Sequence, residues 1–480
     1  MPKLIVGPIK DPITAEEVKP RPLKPPRRRR AEHDFDRGEP PRIPTGEGPS
    51  VEQSPPTENA PTTGPEPNRS ITFDSYAPMV DPSLPGIFNL VPPDPSGADS
   101  DNGVILYVGN TYLVASTDGG ASFTDHDPTA FLPAATGHPV DQIMIYVPHR
   151  DLYCWMLQHD PSARSGEGHF RLAVSHSSDI AADVEQGWTV YNFSSSDLGS
   201  PGVATDRQDL AYSESRLYMT TNLVGTGRVV MSLALDDLDL RQPVSWSHTD
   251  PLDRRYTFSH LSQQNSLNVH MVAIESTTSL EVMTFDDGAG SYGFNSVAVG
   301  QFPTDADLKS LDPDGVDWLT RGVAHVSAAL ADDHSLWVAW DAAASAPGET
   351  PVYPNAHVRI ARISTDNWTT IEERQVWNPD YAFAYGCLAL TNGEVGYGVG
   401  VGGSNDYPNS CFGILGDFVV YFRDTSTSTA GASSEARWGD YITVRPSTVD
   451  PRRFAAFGYY TDGVGNAYQQ RPFHLSYGRP

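Results

Sequence analysis

The stretch VASTDGGASFTD, residues 114–125, carries Ser116, Asp118, Gly120 and Phe123 at the spacing S-x-D-x-G-x-x-F. The carboxylate of Asp118 can accept hydrogen bonds from backbone N–H groups of a turn, and Ser116 can add a side-chain bond to the same loop. Gly120 and the glycine before it can take a positive φ without steric cost. Phe123 can then return into the sheet and bury its ring. The stretch therefore predicts a strand, a tight turn and a second strand.

The same texture continues along the chain from Ile71 to the C-terminus. Short runs rich in Val, Ile, Tyr, Phe and Trp follow one another, each bounded by Gly, Asp, Asn, Ser or Pro. This is the pattern of hairpins, and the chain contains roughly 22 to 26 such runs. Because a β-propeller uses four strands per blade, the count predicts an all-β propeller over residues 71–480, with six blades favoured and seven as the alternative.

The string STDGGASF resembles the Asp-box, or BNR, repeat of the sialidase-type propellers. A weaker echo is ISTDNWTT (363–370), where Ser364 and Asp366 fit but the glycine is missing. Longer segments, including RWGDYITVRP (437–446), resemble a largely uncharacterised bacterial family of such propellers. In the sialidase group, Asp-boxes lie on the rim and away from the active site. The resemblance therefore implies a fold more than an activity.

The resemblance also implies a site that can be checked against the sequence. Sialidases hold the substrate carboxylate with three arginines, use an Asp as acid/base, and use a Tyr activated by a Glu as nucleophile. Their first arginine lies in an F/Y-R-I-P motif. This chain has PRIP at 41–44, but prolines precede Arg42 and the segment belongs to an unusual N-terminal region. We interpret the match as coincidental, so the catalytic signature is unfulfilled.

Several charged residues stand immediately before runs that we expect to be inner strands, where propeller ligands bind. Three convergent guanidiniums would bind a carboxylate, phosphate or sulfate, an Asp could act as acid/base, and a Tyr could act as nucleophile. The same residues could instead form structural ion pairs between blades. The candidates are Asp141, Arg207, Asp209, Arg321, Arg437, Asp440 and Tyr441.

Residues 1–70 differ from the rest of the chain. They are rich in Pro, Glu, Arg, Gly, Ser and Thr and nearly free of aromatic residues, which predicts a disordered arm. The arm contains the run RRRR (27–30), which could be a solvated linker or a patch that recruits a partner.

The net charge of −27 is concentrated in residues 71–480, where Lys309 is the single lysine. A body this acidic repels nucleic acid and anionic membrane surfaces, so we expect neither as a partner. A glycan or protein ligand fits better, and we expect a monomer. The chain contains no apolar run long enough for a transmembrane helix and no secretory signal that we recognise, which leaves the compartment open.

Cysteine and metal chemistry are weakly indicated. Cys154 lies in an apolar run and is expected to be buried, whereas a disulfide between Cys387 and Cys411 is left open. The loop DPDGVD offers Asp312, Asp314 and Asp317, which Ca²⁺ could accept, but it lacks the twelve-residue pattern and a plain turn is favoured. We predict no cofactor and no metal site.

Three hypotheses for function remain. The first is a propeller that binds a glycan or protein ligand at its central mouth. The second is a glycoside hydrolase of sialidase-like type with a divergent site. The third is a partner domain recruited through the basic arm.

Overall fold

A computed structural model describes the chain over most of its length. The described residues are nearly all β, and none of their helices is long and apolar enough to cross a membrane. They are 1–14, 29–30, 42–44, 71–78, 93–132, 139–159, 166–265, 267–303, 308–320, 322, 324–345, 352–422, 424–429, 438–463 and 469–480.

The strands are short, as the spacing of turn residues predicts. Those of the N-terminal region are β1 (Ile5–Val6), β2 (Ile13–Thr14), β3 (Arg29–Arg30), β4 (Arg42–Pro44) and β5 (Thr72–Pro78). The strands between residues 96 and 248 are β6 (Ser96–Asp99), β7 (Ile105–Gly109), β8 (Tyr112–Ser116), β9 (Ser122–His126), β10 (Pro139–Val147), β11 (Leu152–His159), β12 (His169–His176), β13 (Thr189–Ser194), β14 (Thr205–Tyr212), β15 (Arg216–Leu223), β16 (Gly227–Ala234) and β17 (Trp246–His248).

The second half of the chain continues in the same way. Its strands are β18 (His260–Gln263), β19 (Asn268–Ser276), β20 (Ser279–Asp286), β21 (Ser291–Ala298), β22 (Val326–Ala331), β23 (Ser335–Ala342), β24 (His357–Ser364), β25 (Thr370–Val376), β26 (Ala382–Thr391), β27 (Glu394–Gly403), β28 (Asp406–Ile414), β29 (Val419–Tyr421), β30 (Thr443–Pro446), β31 (Arg453–Asp462) and β32 (Gln469–Gly478). The α-helices are single turns or little more: α1 (Pro128–Phe131), α2 (Ser177–Ala182) and α3 (Leu235–Asp239). Short 3₁₀ turns occupy Pro148–Arg150, Ser195–Leu198 and Arg254–Phe258.

From β6 onward the described strands form antiparallel groups of four, which we call meanders 1 to 7. Meanders 1 to 6 are β6–β9, β10–β13, β14–β17, β18–β21, β22–β25 and β26–β29, and meander 7 combines β30–β32 with β5. Meanders 4 and 5 share one sheet because β18 and β22 pair in parallel. The first strand of each meander contacts the first strand of the next, and β30 contacts β6.

The core is divided in the same way. Among the described residues, buried apolar side chains form seven clusters, and each lies chiefly between two neighbouring meanders. One of them joins Tyr107 and Phe123 of meander 1 to Phe457 of meander 7. The sheets therefore pack face to face in succession, which suits strands whose residues are buried on both faces.

The N-terminal strands lie at the outer edges of the meanders. β1 pairs with β17, β2 with β13, β3 with β9 and β4 with β29, all antiparallel. The described part of the arm is therefore paired with the body, contrary to the prediction of a disordered arm. The rest of the predicted arm lies outside the described residues.

The stretch 114–125 forms the predicted hairpin, with its turn between β8 and β9. Oγ of Ser116 donates to Oδ1 of Asp118 at 2.8 Å and accepts from the backbone N–H of Gly120 at 2.9 Å. Oδ1 of Asp118 also accepts from the N–H of Ser122 at 2.8 Å, and the ring of Phe123 is buried. The weaker echo occupies the corresponding turn of meander 5, between β24 and β25.

The cysteines are free thiols. Cys154, Cys387 and Cys411 are all buried and unpaired, so the disulfide left open by the sequence does not form. Cys387 lies on β26 and Cys411 on β28, with β27 between them. Two strand spacings amount to about 9 to 10 Å, beyond the reach of a disulfide.

Arg445 on β30 joins several first strands at once. Its Nε donates to the carbonyl of Gly97 at 2.9 Å, and its Nη2 donates to the carbonyl of Met144 at 3.1 Å. Its Nη1 donates to Oε1 of Gln263 at 3.2 Å. One guanidinium therefore ties meander 7 to meanders 1, 2 and 4. Burial lowers the pKa of Arg445, while the carboxylate of Asp209 raises it.

We expect Arg445→Met to lower the free energy of unfolding by about 3 kcal/mol, because three acceptors lose a charged donor. Urea denaturation of the purified protein measures this change. The control is Arg452→Met, which removes a 78% exposed side chain paired with Asp450 and should change stability by less than about 0.5 kcal/mol. Equal effects of the two substitutions would contradict the role given to Arg445.

Candidate functional site

The first strands of meanders 2, 3 and 6 start with the same irregularity. Each has a β-bulge near its beginning, and one residue of each bulge has a positive φ: Asp141 (45°), Arg207 (48°) and Tyr385 (59°). Asp94, two residues before β6, also has a positive φ of 46°. Bulges of this kind re-aim side chains and are common beside functional sites. We call the side chains at these strand starts the mouth.

Tyr441, two residues before β30, lies among the charged groups of the mouth. Burial raises its pKa well above the usual range, and the carboxylates of Asp94, Asp141 and Asp440 raise it further. The guanidinium of Arg207 acts in the opposite direction. The Tyr441 hydroxyl is out of contact with solvent and has no hydrogen-bond partner among the described residues.

Arg207 stands over an aromatic ring at the mouth. Its guanidinium carbon is 4.3 Å from the ring centroid of Phe258, a cation–π distance. The ring of Phe258 is in turn 5.9 Å from that of His325, and it remains 36% exposed. No hydrogen bond or ion pair joins the Arg207 guanidinium to the residues that the structure describes. The N–H donors of the Arg207 side chain therefore have no acceptor within the described part of the protein.

The carboxylate of Asp94 connects meanders 1 and 7. Oδ1 of Asp94 accepts from the N–H of Asp440 at 3.1 Å, and Oδ2 accepts from Nδ2 of Asn110 at 2.8 Å. The side-chain oxygen of Asn110 accepts from the N–H of Asp141 at 2.7 Å. This chain of contacts brings the predicted residues Asp141, Asp440 and Tyr441 together with Arg207.

Asp209 has a different environment from the other predicted residues. It is buried, and its Oδ2 accepts from the N–H of Leu261 at 2.8 Å and lies 3.1 Å from Nδ1 of His260. Burial alone would raise its pKa, but His260 and the Leu261 N–H outweigh burial and hold the pKa below its usual range. Asp209 therefore links meanders 3 and 4, as the structural alternative expects, and its role in ligand binding stays a prediction.

The other two predicted arginines, Arg321 and Arg437, lie outside the described residues, so their convergence with Arg207 stays a prediction. The PRIP segment contributes β4, the outer strand beside β29. In the DPDGVD loop, Oδ1 of Asp312 accepts from the N–H groups of Asp314 and Val316 at 2.9 and 2.8 Å. That loop has the hydrogen bonds of a plain turn. No group of three or more possible metal ligands occurs within the described ranges.

Sequence reasoning missed three contributors to the mouth: Asp94, Phe258 and Asp341. Asp341 lies on β23, is fully buried, and accepts from the N–H of Tyr385 at 2.9 Å. Burial raises its pKa to about 7, against the opposing effect of that N–H. An aspartate inside the apolar run SLWVAWDA was the available signal, because a carboxylate is rarely buried without a role.

A separate cleft of about 360 Å³ lies beside the hairpin of β8 and β9. His126 lines it and is bonded on both ring nitrogens, at 2.9 Å to Glu185 and at 2.7 Å to Thr124. The hydrogen bond from His126 holds the pKa of Glu185 below its usual range. These groups satisfy one another across meanders 1 and 2, so we interpret the contact as structural.

No protein-family model matches the chain, and no curated protein matches it. Solved structures do match, although weakly. An ulvan lyase, from a new family of polysaccharide lyases (PL25), is 11% identical with a TM-score of 0.43, covering 80% of this chain and 92% of that chain. A chain of a mitotic checkpoint complex is 9% identical with a TM-score of 0.40, covering 88% and 98%.

A sialidase is also among the similar structures. The Trypanosoma rangeli sialidase in complex with sialic acid is 10% identical with a TM-score of 0.37, covering 78% of this chain and 69% of that chain. Similarities this low carry no inference about the ligand of this protein. The Asp-box family therefore stays a prediction from residues 114–125.

Asp341 should make stability depend on pH. Its pKa is raised from 3.8 to about 7, so its contribution is complete below about pH 4 and is lost as the pH rises through 7. The difference in unfolding free energy between wild type and Asp341→Asn should fall by about 4 kcal/mol over that window. Urea denaturation at a series of pH values measures it. His325→Gln keeps Asp341 in place and should retain the loss, and a flat difference would contradict the assignment.

Proposed function

We propose that the seven meanders are the blades of one seven-bladed propeller, closed where β5 completes meander 7. The contacts between successive first strands and the seven inter-meander core clusters support this arrangement. β5 comes from residues 72–78 and pairs with β32, so the two ends of the body meet in one sheet. Seven is the alternative blade count from the sequence, in place of the favoured six.

A disulfide across β5 and β32 tests the closure. Ser75 and Ser476 are register partners, so the double variant Ser75→Cys/Ser476→Cys should oxidise readily. Cross-linking a loop of about 400 residues should raise the free energy of unfolding by up to about 6 kcal/mol. Denaturation with and without reductant measures the gain, and each single cysteine variant is a control. Failure of the bond to form would contradict the closure.

We further propose that the mouth binds a neutral, hydroxyl-rich ligand, that is, a carbohydrate. The observation that carries this proposal is the Arg207 guanidinium, a partly exposed donor group that makes no hydrogen bond or ion pair to the described residues and lies against the exposed side chain of Phe258. Acceptor oxygens of a bound ligand can replace the water around these donors.

The remaining chemistry of the mouth suits a sugar better than an anion. The partly exposed carboxylates of Asp141 and Asp440 can accept hydrogen bonds from hydroxyl groups, and together with the buried carboxylate of Asp94 they would repel a carboxylate or phosphate. The partly exposed ring of Phe258 offers an apolar face for the C–H groups of a sugar. Arg207, held against that ring, offers planar donors for ring and hydroxyl oxygens.

The glycoside hydrolase hypothesis is the second candidate. Its supporting observation is the presence of two partly exposed carboxylates, Asp141 and Asp440, beside Tyr441. Glycoside hydrolysis commonly needs one carboxylic acid and one carboxylate across the scissile bond. Turnover of fluorogenic glycosides that is lost in Asp141→Asn or Asp440→Asn would favour this candidate over binding alone. The partner-domain hypothesis stays a prediction, because most of the basic arm lies outside the described residues.

A glycan array with neutral and sialylated oligosaccharides tests the binding proposal, followed by calorimetric titration of the best neutral ligand. Arg207→Gln should weaken binding about ten- to a hundredfold, because it removes charged donors that no described residue engages. Tyr441→Phe should change binding by less than about twofold, because the hydroxyl that it removes is closed off from solvent. Circular dichroism should show both variants folded.

Matched controls lie at the other end of β10. Tyr146→Phe removes a hydroxyl bonded to Asp151, and Arg150→Gln removes an ion pair with Asp236. Both should bind the ligand as wild type does. Absence of any glycan binding, or equal losses in the controls, would contradict the proposal. Selective binding of sialylated glycans would favour the three-arginine site over the neutral one.

A further inference from the structure

The segment Met1–Lys10 runs along the outer edges of three successive meanders. The N–H of Leu4 donates to the carbonyl of Gly290 in meander 4 at 3.3 Å. The N–H of Gly7 donates to the carbonyl of Trp246 in meander 3 at 2.9 Å. The N–H of Lys10 donates to the carbonyl of Val244 at 3.2 Å, and the N–H of Val244 donates to the carbonyl of Lys10 at 2.9 Å. The segment thus adds a strand to a sheet edge that would otherwise be unpaired.

Three residues of this segment, Leu4, Gly7 and Lys10, make specific contacts with the meanders. The side chain of Leu4 packs against the apolar cluster between meanders 3 and 4. Gly7 lies so close to Trp246 that an added Cβ would come within 2.4 Å of the indole ring. Nζ of Lys10 is 2.6 Å from Oδ1 of Asp197 and lies over the ring of Phe193 in meander 2. Trp246 also donates its indole N–H to the carbonyl of Pro8.

The segment is nevertheless lightly held. Val6 is 85% exposed and Ile9 is 67% exposed, so most of its large side chains bury little area. Backbone hydrogen bonds at a sheet edge provide affinity in peptide recognition, and a few pockets provide the specificity. A docked segment with so few buried contacts opens at low free-energy cost.

We propose that the outer edge of meander 3, flanked by Gly290 and Asp197, is a strand-docking groove for Met1–Lys10, and that the segment from a second copy of this chain can dock there. The segment is basic, with Lys3 and Lys10, and the body is strongly acidic; Lys10 pairs with Asp197, which supplies charge complementarity. Each copy offers both the strand and the groove, so an exchange of arms makes the same contacts between two chains. The edge is exposed whenever its own segment detaches, and an exposed edge accepts another strand.

A synthetic peptide of residues 1–12, carrying a fluorophore at its C-terminus, tests the groove by fluorescence anisotropy. The full-length Gly7→Val protein, whose own segment cannot fit under Trp246, should bind the peptide at least tenfold more tightly than wild type does. The same peptide with Gly7→Val should not bind. Lys10→Ala in the protein should give an intermediate affinity, and it serves if Gly7→Val fails to fold.

Amide hydrogen exchange gives an independent readout. The N–H groups of Val244 and Tyr292 are bonded to Lys10 and Pro2 of the segment, so Gly7→Val should speed their exchange at least tenfold. Added wild-type peptide should restore their protection. Val6→Ala, at an exposed position, should change neither amide. Unchanged exchange in Gly7→Val, or fast exchange without peptide binding, would overturn the proposal.

Discussion

The arrangement of the meanders depends on one buried cation. Arg445 donates to two backbone carbonyls and one side-chain oxygen, and these belong to three meanders other than its own. Sheets packed face to face bury their apolar faces pair by pair, but nothing in that packing fixes where their first strands converge. A planar guanidinium with donors in fixed directions sets that geometry at a single point. The apolar clusters between the meanders can then pack without changing the positions at which the first strands begin.

The polar residues of the mouth fall into two groups. Asp209 and Asp341 are buried, and their oxygens accept backbone N–H groups from a neighbouring meander. These two carboxylates link neighbouring meanders. The pKa of Asp209 is lowered because its charge partner and hydrogen bonds outweigh burial, whereas the pKa of Asp341 is raised because burial dominates. The Arg207 guanidinium and the Tyr441 hydroxyl, in contrast, make no hydrogen bond to any residue that the structure describes. A rigid frame with unsatisfied polar groups at its centre is what a pre-formed binding site requires.

The sequence predicted the local features well and the long-range ones poorly. The hairpin at 114–125 followed from turn chemistry within eight residues, which neighbouring side chains determine by themselves. Asp141, Arg207, Asp440 and Tyr441 lie at or just before first strands and near one another, as the sequence rule expects, and their role in ligand binding stays a prediction. Asp209 satisfies the same rule and also links two meanders. Arg445 was missed, since its partners are about 180 to 350 residues away and no local pattern marks it. Whether Cys387 and Cys411 form a disulfide depends on the order of their strands in the sheet, and their spacing in the sequence does not determine that order.

The N-terminal region shows why composition misled most. A segment poor in aromatic residues buries too little surface to fold by itself, and that inference is sound for an isolated chain. A meander without a neighbouring strand at its outer edge presents a row of unpaired N–H and C=O groups there. A low-complexity segment can pair with such an edge through its backbone alone, because the ladder makes little demand on side chains. Order in this segment is therefore supplied by the sheets it borders, and the few specific contacts of Leu4, Gly7 and Lys10 determine only where it lies.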